Sequence, residues 1–235
     1  MTLPFLSQLS LSFLTSVAQS ESICSEDDRI PSQATMVGAV SDFKSGMQGV
    51  CTITLIGDSC AVTAGHCIHV LGEAEFFADA AGRAPTKPDM FRYSVDKSWI
   101  RALQSRIGND WAVVRLKPSP VTGLLPGKVH GYIEAQLTPS DPSSSALELH
   151  AIRKGPNGFE RLRSRGNILW SDSSILFHDL DTGAGSSGAL LIDTGSGNAV
   201  GIHTHGGCDT MKNNKATFIA LVPRLVSSIR ECEGR

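Results

Sequence analysis

Three stretches of this chain hold side chains suited to one reaction between them. Thr63-Ala64-Gly65-His66-Cys67 supplies an imidazole, Asn109-Asp110-Trp111-Ala112-Val113-Val114 a carboxylate ahead of an apolar run, and Gly185-Ser186-Ser187-Gly188 a hydroxyl in a glycine-bounded turn. A serine hydroxyl is a poor nucleophile until a base takes its proton. An imidazole serves best when a buried carboxylate fixes its tautomer and stabilises its protonated form. The chemistry open to these groups is therefore acyl transfer, with Ser187 attacking a carbonyl, His66 moving the proton and Asp110 holding the ring. Gly185 adds a backbone contribution: without a Cβ it can turn its N–H, beside that of Ser187, toward a developing oxyanion. Taken singly, each stretch has a plainer reading. A histidine beside a cysteine is commonly structural, an aspartate before a strand commonly caps a turn, and a glycine-serine run is commonly only a turn. Their occurrence together, in the order His, Asp, Ser, favours the triad.

Such groups need elements to carry them to one place. Residues 51–56, 60–63, 111–116, 147–153, 159–169, 189–193, 199–204 and 216–222 are short and rich in β-branched and apolar residues, and read as strands. Gly57-Asp58 marks a turn, and Gly155-Pro156-Asn157-Gly158 marks a hairpin between two of the strands. Many short strands argue for an all-β barrel or sandwich. A short helical turn is expected after His66. A terminal helix is expected from Pro223, with Leu225, Val226 and Ile229 on one face. Residues 116–126, which hold Pro118, Pro120 and Pro126, read as an interdomain linker, and 140–145 as a polar surface loop.

The chain has 235 residues, 41% hydrophobic and 19% charged, enough to bury a large core in a soluble globular protein. A formal net charge of −2 supplies no basic surface for nucleic acid. No apolar run is long enough to cross a bilayer. Residues 3–18 are apolar with small Ser16 and Ala18 placed as in a cleavage site, so 1–20 read as a secretory signal, although no Lys or Arg precedes the apolar stretch. Six cysteines, an even number with no CxxC spacing, fit an oxidising compartment and give no metal site. The expected location is secreted or periplasmic.

The segment CTITLIGDSCAVTAGHC, from Cys51 to Cys67, resembles the histidine-bearing segment of chymotrypsin-like serine peptidases. GNDWAVVRL resembles their aspartate-bearing strand and GAGSSGALL their nucleophile loop. Three further segments point to the bacterial V8-like, glutamyl-endopeptidase branch: Ile23-Cys24-Ser25-Glu26-Asp27-Asp28-Arg29, His178-Asp179-Leu180-Asp181-Thr182 and Gly201-Ile202-His203-Thr204-His205-Gly206-Gly207. The resemblance spans roughly residues 22–225. It implies an all-β fold of two six-stranded antiparallel barrels with a short C-terminal helix: 21–120 forming the barrel with His66 and Asp110, 121–235 the barrel with Ser187 and the pocket. It also implies a Cys51–Cys67 disulfide and peptide-bond hydrolysis through an acyl-enzyme. No cofactor or metal is expected. The implied partners are polypeptide substrates, with no nucleic acid and no membrane, acted on by a monomer. The other four cysteines allow three connectivities, with free thiols an alternative.

The same resemblance places a substrate pocket around the nucleophile loop and the strand after it. Asp181 lies six residues before Ser187, where trypsin-like members carry the carboxylate that selects Arg or Lys. Thr182 and His203 lie where glutamyl endopeptidases hold a glutamate carboxylate. The two signals conflict, since a pocket carboxylate would repel an acidic substrate. The flanking sequence favours acidic preference, with basic specificity set by Asp181 as the alternative. Thr204, His205 and Gly206 would form the edge that pairs with substrate backbone. His203 and His205 share a strand face but lack a third metal ligand. Ser186 stands where trypsin-like enzymes use an Asp to pair with a newly cut N-terminus, so that switch is not expected. Ala189-Leu190 departs from the usual small residue and Pro. His69, His130, His150 and His178 read as structural or surface groups, His178 near the pocket rim. A protease-like binding module without activity is the competing reading. An α/β-hydrolase fits poorly, because it requires a second Gly where Ala189 stands and the order Ser, Asp, His.

Overall fold

The structure is a computed structural model that describes residues 22–41, 49–76, 88–139, 146–155 and 158–235. The expected signal segment, the 140–145 loop and the central Pro156-Asn157 of the hairpin lie outside the described residues. Beyond a short strand β1 (Ile30–Pro31), the chain builds β2 (Val37–Ser41), β3 (Cys51–Leu55), β4 (Cys60–Thr63), β5 (Glu73–Phe76), β6 (Arg92–Gln104) and β7 (Asp110–Leu116). These close into a six-stranded barrel in the order β2-β3-β4-β7-β6-β5. A second set follows: β8 (Ala146–Gly155), β9 (Gly158–Asp172), β10 (Ile175–His178), β11 (Leu190–Asp193), β12 (Ala199–His205) and β13 (Asn214–Phe218). It runs β9-β10-β13-β12-β11-β8, and pairing of β8 with β9 closes the second ring. All these strand pairs are antiparallel.

The strand β7 shows why the sequence folds this way. Its residues point alternately to opposite faces. Ala112, Val114 and Leu116 enter the first barrel's core with Ile53, Leu55, Phe76 and Tyr93. Trp111 and Val113 face the other way, into a layer with Val62, Leu190, Ile202 and Ile219 that joins the two barrels. Both faces are buried, so the strand reads as a continuous apolar run rather than an alternating one. Asp110 starts that run, at the seam between barrels.

Each chain end crosses to the other barrel. β1 pairs with β9 of the second barrel, and Cys24 forms a disulfide with Cys208. The terminal helix, α2 (Pro223–Glu233), has Pro at its first turn and ends at Gly234 in the left-handed region. It buries Leu225, Ile229 and Cys232, and Cys60–Cys232 ties it to β4 of the first barrel. The third disulfide is Cys51–Cys67. Two expectations shift in detail. The strand expected over 216–222 stops at Phe218 and passes into a 3₁₀ turn, Ile219–Leu221, because extended Val222 must precede Pro223. The proline-rich connection ends in a short helix, α1 (Pro126–His130), whose His130 stacks on Phe76 and hydrogen-bonds to Tyr93 inside the first barrel.

Candidate active site

Asp110 holds His66 by two bonds. The His66 backbone N–H donates to Oδ1 at 2.7 Å, and Nδ1 meets Oδ2 at 2.6 Å. The carboxylate side chain is 4% exposed and the imidazole 23%, so the ring is gripped from inside and open on its other edge. Gly65 makes this approach possible: a Cβ there would lie 2.1 Å from Leu103 O and 2.8 Å from Asp110 Oδ1. The 3₁₀ turn Gly65–Val70 carries the imidazole, and the Cys51–Cys67 bridge pins it to β3. Cys51, His66 and Cys67 lie close enough to share a ligand. Both sulfurs are held in the disulfide, so the trio is not a metal centre.

The second barrel completes the arrangement. Thr52 N–H donates to Ser187 O at 2.8 Å, Thr52 Oγ1 donates to Gly185 O at 2.7 Å, and Thr52 Oγ1 accepts from Ile152 N–H at 2.9 Å. Gly188 approaches so closely that a Cβ on it would lie 2.2 Å from both Thr52 O and Thr63 Oγ1 and 2.9 Å from Ala64 N. The nucleophile loop is thereby seated against the residues immediately ahead of the His66 turn. Gly185 and Gly188 both have positive φ, at +98° and +93°, a conformation that favours glycine. Ser186 and Gly188 donate their amides, to Gly183 O and His203 O. The amides of Gly185 and Ser187 donate to no described residue. Two free N–H groups thus flank the Ser187 hydroxyl, the arrangement an oxyanion requires. Ser187 Oγ makes no hydrogen bond to a described residue.

Sequence reading missed Thr52 and Thr217. Thr217 Oγ1, from β13, donates to Asp110 O at 3.1 Å and accepts the Asp110 N–H at 3.4 Å, holding the carboxylate residue from the opposite barrel. No sequence signal distinguishes either threonine from ordinary strand residues.

Pocket residues divide. His203 is buried, and its Nδ1 meets His178 Nε2 at 3.2 Å. His178, expected near the rim, is instead fully buried, and its Nδ1 has no partner among the described residues. Burial, then the Lys215 charge, holds His178 down at about 3. Burial first, followed by neighbouring histidines, holds His203 well below its usual range. Both rings are neutral at pH 7. His205 lies edge-on to His66, ring centres 6.2 Å apart, and its Nδ1 bonds Thr204 Oγ1 at 2.9 Å. Gly206 follows the end of β12.

Asp181 and Thr182 face a different neighbour from the one expected. Asp181 accepts the N–H of Cys24 at 2.7 Å and of Asp28 at 3.3 Å. It is 4% exposed, and burial raises its pKa above the ordinary carboxylate range. Its oxygens are turned into the N-terminal segment. Thr182 Oγ1 donates to Ser22 O at 3.4 Å and accepts from Asn214 at 3.3 Å. Ser22 Oγ in turn accepts the N–H groups of Gly207 and Cys208 at 2.8 and 2.7 Å. Segment 22–28 therefore straps the two loops of the expected pocket together.

No protein-family model and no curated protein matches the sequence. Solved structures do. A Glu endopeptidase determined in complex with MPD superposes with a TM-score of 0.70 at 15% identity, covering 89% of this chain and 98% of its own. Protease Anisep from Arthrobacter nicotinovorans gives 0.68 at 14%, covering 88% and 100%. AL20, a thermostable serine protease from an extremophilic microorganism, gives 0.63 at 14%, covering 87% and 99%. The chain therefore has the double-barrel, chymotrypsin-like fold that these serine proteases share.

Proposed function

We propose that this protein is a secreted serine endopeptidase with a His66–Asp110–Ser187 triad and a preference for acidic residues before the scissile bond. One observation carries the reading: an imidazole doubly anchored by a buried carboxylate stands just after Thr63-Ala64, against which packs a serine loop whose Gly185 and Ser187 amides have no acceptor among the described residues. In the first step Ser187 Oγ bonds to the substrate carbonyl carbon while His66 Nε2 takes its proton. The two amides receive the negative charge on oxygen. The C–N bond then breaks, His66 returns the proton to the departing amine, and an ester to Ser187 remains. Water, deprotonated by His66, attacks that ester, and Ser187 recovers its proton. Asp110 stabilises the imidazolium throughout.

The acidic preference is supported by tautomer logic. His178 Nδ1 is unpartnered among the described residues, and an orphaned acceptor costs less than an orphaned N–H, which favours the tautomer in which His178 Nε2–H donates to His203 Nδ1. That assignment leaves His203 an Nε2–H, a neutral donor for a substrate carboxylate. Basic specificity through Asp181 has less support, because its oxygens already accept two backbone N–H groups. Secretion is supported by the three disulfides, which suit an oxidising compartment. No helix among the described residues is long and apolar enough to cross a membrane.

The test is reaction of purified protein with a fluorophosphonate probe. A covalent adduct on Ser187, abolished in Ser187→Ala together with peptide cleavage, is the expected result. A folded wild-type protein that forms no adduct would make the protein a binding module instead.

A further inference from the structure

One buried cation takes no part in the mechanism above. Lys215 stands on β13 opposite His205 and is 6% exposed. Its ammonium makes no hydrogen bond or ion pair with a described residue. Nζ sits 2.9 Å from the point where a Cβ on Gly207 would lie, at the end of the Thr204–Gly206 edge. The aliphatic stem is packed away while the ammonium itself keeps a contact with solvent, and partial desolvation lowers its pKa from the usual lysine value. The groups around it do not supply the missing charge. His178 and His205 both respond to the Lys215 charge, and burial, the larger cause, keeps both below the usual histidine range. Asp181, the acid of the neighbouring loop, is bonded to Cys24 and Asp28. Two further buried polar atoms nearby in sequence and register, Asn214 Oδ1 and His178 Nδ1, also have no partner among the described residues.

We propose that Lys215 is the specificity-determining cation of the substrate pocket, receiving the carboxylate of a Glu or Asp side chain directly before the scissile bond. This rests on the endopeptidase reading. A carboxylate entering a site lined by neutral His203 and His205 would gain hydrogen bonds but no compensating charge. Lys215 provides that charge from the adjacent strand, through an ammonium that has no partner among the described residues. The same pairing rejects Arg and Lys side chains, which would meet a like charge in a desolvated wall. Charge-assisted hydrogen bonds of this kind contribute enough to set a preference of roughly 10- to 100-fold.

The experiment uses two peptides identical except for Glu or Gln before the cleaved bond, with wild type, Lys215→Met and Lys215→Arg. Wild type is expected to show a kcat/KM ratio, Glu over Gln, of roughly 10 to 100. Lys215→Met, which keeps length and loses charge, should bring the ratio to about 1, and Lys215→Arg should retain most of it. A wild-type ratio at or below 1, or an undiminished ratio in Lys215→Met, overturns the proposal. If Lys215→Met does not fold, Lys215→Gln replaces it, and the same fall of the ratio to about 1 is expected; an undiminished ratio there overturns the proposal equally. Failure of the endopeptidase reading looks different: wild type then cleaves neither peptide and forms no fluorophosphonate adduct.

Discussion

Replacing Asp110 with Asn isolates the role of the carboxylate without changing its shape. Asp110 accepts two bonds, from the His66 backbone N–H at 2.7 Å and from Nδ1 at 2.6 Å, whereas an amide has one acceptor and one donor end. If its oxygen faces Nδ1, the NH₂ group confronts the backbone N–H, and a buried donor is left unsatisfied at about 1–3 kcal/mol. The amide therefore turns the other way. Its NH₂ donates to Nδ1, the ring proton moves to Nε2, and the nitrogen that must receive the Ser187 proton is blocked. Escaping that tautomer costs about 2 kcal/mol. The imidazolium also loses a counter-charge that contributes about 4 kcal/mol at an effective dielectric of about 20 and a separation of about 4 Å. Together these amount to about 6 kcal/mol, or about 10⁴-fold in kcat. Because every polar group keeps a partner in the favoured orientation, thermal unfolding should shift by only a few degrees. Steady-state turnover of a chromogenic peptide at pH 7, beside a melting curve, checks both statements. A variant that melts like wild type and turns over within tenfold of it would refute the reasoning.

Further outcomes follow from the same structure. His178 and His130 are buried neutral, held at about 3 and about 4 chiefly by desolvation. Below about pH 6.5 the unfolded chain binds protons that the folded one refuses, so stability falls as pH falls through this range. By pH 5 the loss is about 2 kcal/mol for each group, and urea midpoints at pH 7.5 and 5 should differ accordingly; equal midpoints would contradict the burial of both rings. Gly188→Ala should destabilise by more than about 3 kcal/mol and abolish cleavage, because the added methyl meets Thr52 O and Thr63 Oγ1 at 2.2 Å. Gly197→Ala has a comparable φ of +75° with nothing within 4 Å, so it should cost only about 1–2 kcal/mol and leave turnover intact. Thermal melts of the two variants separate steric contact from backbone strain.

Much of this protein is legible along the chain because the relevant physics is local. β-Branched runs such as Cys51-Thr52-Ile53-Thr54-Leu55 and the continuous apolar run after Asp110 announce strands, since side-chain period and shape act within a few residues. Pro223 announces the terminal helix for the same reason. The three stretches bearing His66, Asp110 and Ser187 stand out because each needs particular neighbours: Gly65 to admit a carboxylate, Gly185 and Gly188 to take positive φ.

What only the tertiary structure decided is pairing between distant segments. Four cysteines have equivalent local settings, and it is the crossing of each terminus onto the opposite barrel that selects Cys24–Cys208 and Cys60–Cys232. Asp181 sits at a suitable distance from Ser187 in sequence, yet its carboxylate direction is set by the amides of Cys24 and Asp28, more than 150 residues away. Thr52, Thr217 and Lys215 look like ordinary strand residues until closure of two barrels places one beneath the nucleophile loop, one on Asp110 and one behind Gly207. Local sequence specifies which groups exist and which backbone shapes they tolerate. Hydrogen-bond partners and desolvation come from atoms far along the chain, so the direction of each side chain and the charge it carries are properties of the folded whole.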